Sequence, residues 1–186
     1  MNMMKNIILI GMKACGKSTV GKLLAQKLGI KFVELDQEIE KVHFEEKKPT
    51  FAKATVGREK LTFREIFKKH GADYFHSLEK KVLKTIVEKD KEKQIILACG
   101  GGTPLDPENQ MLLKRLGRVI FLNAKEDVLL PRILMHGVPA FFPYLNDPKK
   151  SLSELMEKRR PIYEKAANQI ISFTSESPEE LVEEII

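Results

Sequence analysis

The chain has no tryptophan, only two cysteines, and aromatic residues at just 7% of its 186 positions. Two thiols, Cys15 and Cys99, cannot build a disulfide framework, so a small cross-linked secreted scaffold is excluded and free thiols are expected. No apolar run approaches the roughly 18 residues of a membrane span. The run Ile7–Met12 is too short for a secretory leader, and Lys13 interrupts it, so a cytoplasmic protein is expected. A basic face interleaved with aromatics is also missing. The lysines are spread beside Glu and Asp, so the net charge of +6 suits small polyanions and no nucleic acid is expected as a partner. There is no internal repeat. One domain over 1–186 and a monomer are the simplest expectation.

What is present is an alternation of two periods. Apolar, strand-like runs occur at Ile7–Ile10, Lys31–Leu35, Gln94–Cys99, Arg118–Leu122 and Gln169–Thr174. Helical patterns fall between them at Lys17–Leu28, Asp36–Glu45, Phe63–Lys69, Ala72–Lys89, Pro107–Leu116, Lys125–His136, Ser151–Ala167 and Pro178–Ile185. Asp106-Pro107 and Ser177-Pro178 carry helix-start chemistry. Alternation of this kind predicts an α/β fold with a five-stranded parallel sheet flanked by helices. Two segments fit neither period. Residues 45–62, with Pro49 and Gly57, are predicted to be an exposed insertion, and 137–150, with three prolines and three aromatics, a non-helical loop that closes as a lid.

Ligands of parallel sheets lie beyond the carboxyl ends of the strands, so the residues just after each strand are the functional candidates. After the first strand comes Gly11-Met12-Lys13-Ala14-Cys15-Gly16-Lys17-Ser18-Thr19, which fits G-x-x-x-x-G-K-S/T between a strand and a helix. Its glycines let backbone N–H groups turn inward, and the helix start adds partial positive charge. The loop is thus predicted to cradle the phosphates of ATP, with Lys17 on the outer phosphates and Ser18 on Mg²⁺. Glu34, at the end of the second strand, is a candidate to hold metal-bound water, and otherwise a solvated strand-end acid. Asp36 is a candidate to orient or deprotonate an acceptor hydroxyl, and equally a helix N-cap. Gly100-Gly101-Gly102 follows a buried strand, where close approach of backbone to a ligand is the usual reason for glycine. Arg159-Arg160 offers forked donors for a carboxylate or phosphate, or a solvated charge run.

Taken in order, these segments resemble the shikimate kinase family, P-loop NTPase-fold kinases of small molecules. The resemblance spans GMKACGKSTVGKLLAQKLG, FVELDQEIE, FHSLEKKVL, ILACGGGTPLDPEN and LMEKRRPIYEKAA. It implies transfer of the ATP γ-phosphate to the 3-hydroxyl of shikimate, in the route to aromatic amino acids. It implies Gly11, Ala14, Cys15, Gly16, Lys17, Ser18 and Thr19 around the nucleotide and Arg132 beside adenine. Asp36, His76, Gly100, Gly101, Gly102 and Arg159 would surround shikimate. Three positions differ from the family pattern: His76 and Val138 stand where it has arginines, and Glu34 where it has Asp. A kinase of another small hydroxylated acid or polyol, and a nucleotide-binding module without catalysis, remain alternative readings of the residues.

Overall fold

A computed structural model describes residues 6–46, 60–89, 94–135, 137–139 and 141–186. The strands are β1 (Asn6–Ile10), β2 (Lys31–Glu34), β3 (Ile95–Ala98), β4 (Gly117–Ala124) and β5 (Gln169–Phe173). All neighbours pair in parallel, in the order β2-β3-β1-β4-β5. The helices are α1 (Lys17–Leu28), α2 (Leu35–Glu46), α3 (Phe63–Lys89), α4 (Pro107–Leu116), α5 (Glu126–Leu134), α6 (Pro148–Ala166) and α7 (Pro178–Ile185). Every residue of β3 is buried, as strands covered on both faces should be. β1 sits between β3 and β4, and the chain leaves it in one direction before returning to the other. The crevice beside its carboxyl end is therefore a topological switch point.

The predicted elements correspond to the observed ones, with informative exceptions. The two helical patterns 63–69 and 72–89 are two helical segments of α3, separated by a kink at Gly71, whose φ of 84° is non-helical. α6 starts at Pro148, earlier than Ser151, because Asp147 caps it: its carboxylate accepts from the Lys150 N–H at 3.0 Å. The Asp-Pro start signal of α4 thus recurs here, and the last three residues of the expected non-helical loop 137–150 are helical. Of the expected insertion 45–62, Glu45 and Glu46 complete α2, and residues 47–59 lie outside the described residues. Thr62 and Glu65 then start α3 with reciprocal bonds, Thr62 N–H to Glu65 Oε2 at 2.7 Å and Glu65 N–H to Thr62 Oγ1 at 3.4 Å.

The register of the sheet is pinned at its amino end by Asn6. Its side-chain amide donates to the Leu116 carbonyl at 2.9 Å, and its side-chain carbonyl accepts from the Ile95 N–H at 2.9 Å. One side chain therefore ties β1 to β3 and to the end of α4. Gly117, where α4 turns into β4, lies directly against it: a Cβ there would sit 2.1 Å from the Asn6 carbonyl oxygen. Backbone cannot yield as a flexible side chain does. Gly117→Ala is expected to destabilise the protein by about 1–3 kcal/mol, read as a lowered urea midpoint with an unchanged slope.

Candidate active site

The phosphate loop follows β1 because apolar β1 is locked in mid-sheet while the next residues must reverse direction into α1. Gly11 (φ 143°), Ala14 (φ 65°) and Gly16 (φ 95°) supply that reversal with positive φ. Ala14 bears a Cβ in the left-handed region, a strain of roughly 1 kcal/mol held by the surrounding loop. Gly11 cannot be replaced: a Cβ would lie 2.6 Å from the Leu122 carbonyl oxygen. α1 begins with no side chain capping it and no acid in its first turn, so its leading N–H groups and their partial positive charge face the loop. Lys17 Nζ lies over the loop, donating to the carbonyls of Gly11 at 3.0 Å and Met12 at 2.8 Å, and 3.7 Å from Cys15 Sγ. Cys15 and Cys99 are both buried free thiols. Ser18 is partly buried and Thr19 exposed at the start of the helix.

The glycine turn after β3 presses against this loop. A Cβ on Gly101 would touch the Lys13 nitrogen at 3.4 Å and the Gly11 oxygen at 3.6 Å. A Cβ on Gly100 would lie 3.0 Å from Asp36 Oδ1. None of the three glycines has positive φ, so close approach and not left-handed geometry is what asks for Gly100, while a Cβ on Gly101 would make only ordinary contacts. Gly102 has open space around it. Asp36 is not the N-cap of α2, which starts one residue earlier at Leu35; it lies in the first turn, with its carboxylate at the glycine turn. Burial pushes its pKa up to about 6, helped by the nearby charges of Glu34 and Glu79, while the Lys17 ammonium pulls the other way. Glu34, partly buried, thus acts on Asp36 through its charge.

His76 enters through Glu79. Its Nδ1 lies 3.8 Å from Glu79 Oε2, half of its side chain being exposed. The Glu79 carboxylate is buried and accepts from Thr103 Oγ1 at 2.6 Å and Asn109 Nδ2 at 3.1 Å, just beyond the glycine turn. Burial raises its pKa, and these donors together with His76 oppose the rise. Arg159, on α6, is partly buried one helical turn before Tyr163. Its guanidinium carbon stands 6.0 Å from the centroid of the Phe141 ring, in the expected lid. Arg132, the residue expected beside adenine, is exposed in the last turn of α5. Sequence reasoning missed Tyr163, whose hydroxyl donates to the Gly101 carbonyl at 2.6 Å and whose ring is fully buried. Its spacing of four from Arg159 was the available signal.

The donors present suit Mg²⁺. Ser18, Glu34 and Asp36 offer hard oxygens, and among the described residues no group of three or more His, Cys, Asp or Glu forms an all-protein cage. Mg²⁺ is typically held by one or two such ligands plus waters and substrate phosphates.

Comparison with known proteins agrees with this geometry. A family model described as shikimate kinase matches residues 13–186. The shikimate kinase of Persephonella marina is 37% identical over 183 residues, covering 98% of each chain. A solved shikimate kinase from Acinetobacter baumannii, in complex with shikimate, superposes with a TM-score of 0.81 at 28% identity, covering 98% of this chain and 91% of that one. The Aquifex aeolicus enzyme gives 0.70 at 31%, covering 97% and 92%. Sheet order, phosphate loop and ordered motifs thus converge with sequence identity along nearly the whole length, and the chain belongs to the shikimate kinase family.

Proposed function

We propose that Lys17 and Asp36 carry the phosphoryl transfer that defines this family, the ATP-dependent phosphorylation of shikimate. The observation that supports the assignment is the seam between Gly11, Gly101 and Asp36, which sets an acid beside the phosphate loop. The γ-phosphoryl group of ATP rests at the start of α1. The shikimate 3-hydroxyl faces Asp36, which accepts its proton as the new P–O bond forms and the bond to the departing ADP breaks. Lys17 leaves its loop carbonyls to neutralise charge on the migrating group. Ser18, with Glu34 and Asp36 through water, would hold Mg²⁺, which supplies neutralisation of the phosphate charge. Gly100, Gly101 and Gly102 line the acceptor side through backbone. Arg159 grips the shikimate carboxylate from α6, with His76 on the far side as a weaker donor than a guanidinium. The enzyme works as a cytoplasmic monomer without nucleic acid; none of its described helices is long and apolar enough to cross a membrane.

A coupled assay of ADP release with ATP, Mg²⁺ and shikimate tests the reading. Turnover is expected, and folded protein that shows none at millimolar shikimate would reject it. Lys17→Ala should lose transfer while keeping its fold, measured by circular dichroism and the same assay.

Asp36 gives a two-sided prediction. Its folded-state pKa, about 6, lies above the ordinary 3.8, so the native state binds its proton more tightly than the unfolded chain does. The resulting cost to stability is absent below about pH 4, grows as pH rises, and is complete above about pH 6. Asp36→Asn should therefore raise stability at pH 7.5 by on the order of 2 kcal/mol, or several degrees in Tm, and the gain should shrink as pH falls towards 5. The same substitution should lower kcat by about 10²–10⁴-fold. In the unsubstituted enzyme kcat/KM should fall as pH drops through about 6, where the base takes up its proton. A variant less stable than its parent at pH 7.5, or a rate flat from pH 5 to 8, would contradict the placement of this carboxylate.

A further inference from the structure

The transferring phosphoryl group needs positive charge on the side facing the acceptor, and Lys17 stands on the loop side. The expected lid carries no cation at the position that faces the site: Val138 precedes Pro139, and Phe141 presents a ring. Lys149 and Lys150 belong to the first turn of α6, and the Lys150 ammonium lies over Tyr144, 4.5 Å from the ring centroid. Arg160 lines a cleft of about 470 Å³ between α5 and α6, with Lys125, Leu130 and Lys149.

Lys13 is placed differently. It is the third residue of the phosphate loop, and its backbone nitrogen borders Gly101 at the seam between loop and glycine turn. Its side chain therefore leaves from between the phosphate cradle and the acceptor turn. The ammonium lies 5.8 Å from the centroid of Phe141, the ring that Arg159 approaches from 6.0 Å. That ring is steadied edge-on by Phe142, which is buried. Burial and the charge of Arg64, whose guanidinium lies over the Phe63 ring at 5.4 Å, lower the Lys13 pKa. Among the described residues neither Lys13, Arg64 nor Arg159 forms an ion pair with a carboxylate. The two cations beside this one ring, Lys13 and Arg159, repel one another until an anion enters between them.

We infer that Lys13 is a further catalytic residue, which contacts the phosphoryl group in transit and supplies the positive charge that the lid of this chain does not. The inference rests on the kinase reading above, and the test separates the two. Unsubstituted enzyme must first turn over shikimate; failure there removes the kinase reading itself. Given that turnover, Lys13→Met should lower kcat by about 10²–10³-fold, with the KM values for ATP and shikimate within about threefold of the parent. Lys13→Arg should recover activity to within about tenfold. Binding of ADP with aluminium fluoride and shikimate, a mimic of the group in flight, should weaken in Lys13→Met by a factor similar to the loss in kcat. Binding of a non-hydrolysable ATP analogue should hardly change. A Lys13→Met enzyme with parental kcat overturns the inference. So does a loss confined to the KM for shikimate, which would assign Lys13 to the acceptor carboxylate. Thermal melting of both variants within a few degrees of the parent excludes a folding defect; should Lys13→Met melt early, the Lys13→Gln variant carries the same comparison.

Discussion

The close approach of the glycine turn to its two neighbours is the constraint on which the site depends. Gly101 lies in van der Waals range of the phosphate loop, and Gly100 lies so close to Asp36 that a Cβ there would crowd its carboxylate at 3.0 Å. The Tyr163 hydroxyl holds the Gly101 carbonyl from the other side at 2.6 Å, and Glu79 holds Thr103 just beyond. Segments from β1, β3, α2, α3 and α6 are thereby fixed to within a few ångströms of one another by backbone contact. Such fixing is what keeps a nucleophile and a phosphoryl group in line, since small misplacements of reacting groups are costly to rate. The parallel sheet supplies the frame: β3 and β1 are adjacent, so the turn after one must meet the loop after the other.

The seam also separates charge. Asp36, Glu34, Glu40 and Glu79 influence one another on the acceptor side. Lys13 and Arg159 meet at Phe141, and the charge of Arg64 acts on Lys13. Each group is crowded by its own sign, and burial of Asp36 and Glu79 adds to the strain. Nothing in the fold requires this arrangement, and it lowers stability. A bound triphosphate and an acceptor alcohol relieve it, because the one brings negative charge to the cations and the other a donor to the acids. The stability lost here is offset in the sheet core and in the tie made by Asn6 at the opposite end of β1. Stability and catalysis are thus concentrated at opposite ends of the same strand.

Much of this was legible in the sequence, and the boundary of legibility has a physical cause. Helix and strand positions depend on local period, and Lys17–Leu28, Pro107–Leu116 and Pro178–Ile185 coincide with the expected bounds. The gap between the patterns Phe63–Lys69 and Ala72–Lys89 coincides with Gly71, whose backbone leaves the helical region. The start of α6 was missed although Asp147-Pro148 repeats the signal at Asp106-Pro107, because the surrounding prolines and aromatics of the loop obscured it. Asp36 and the glycine turn adjoin, as expected, because residues that follow parallel strands share one edge whatever the details of packing. Lys13, Arg64 and Arg159 are separated by long stretches of chain, and of the three only Arg159 was a binding candidate in the sequence. Only the approach of the phosphate loop and α6 to Phe141 brings Lys13 and Arg159 together, and no periodicity encodes that approach. A motif therefore reveals the half of a site built from contiguous chain. The half assembled across the fold has to be read from charges placed together without partners, and here those charges lie on the side of the phosphate loop where the acceptor must enter.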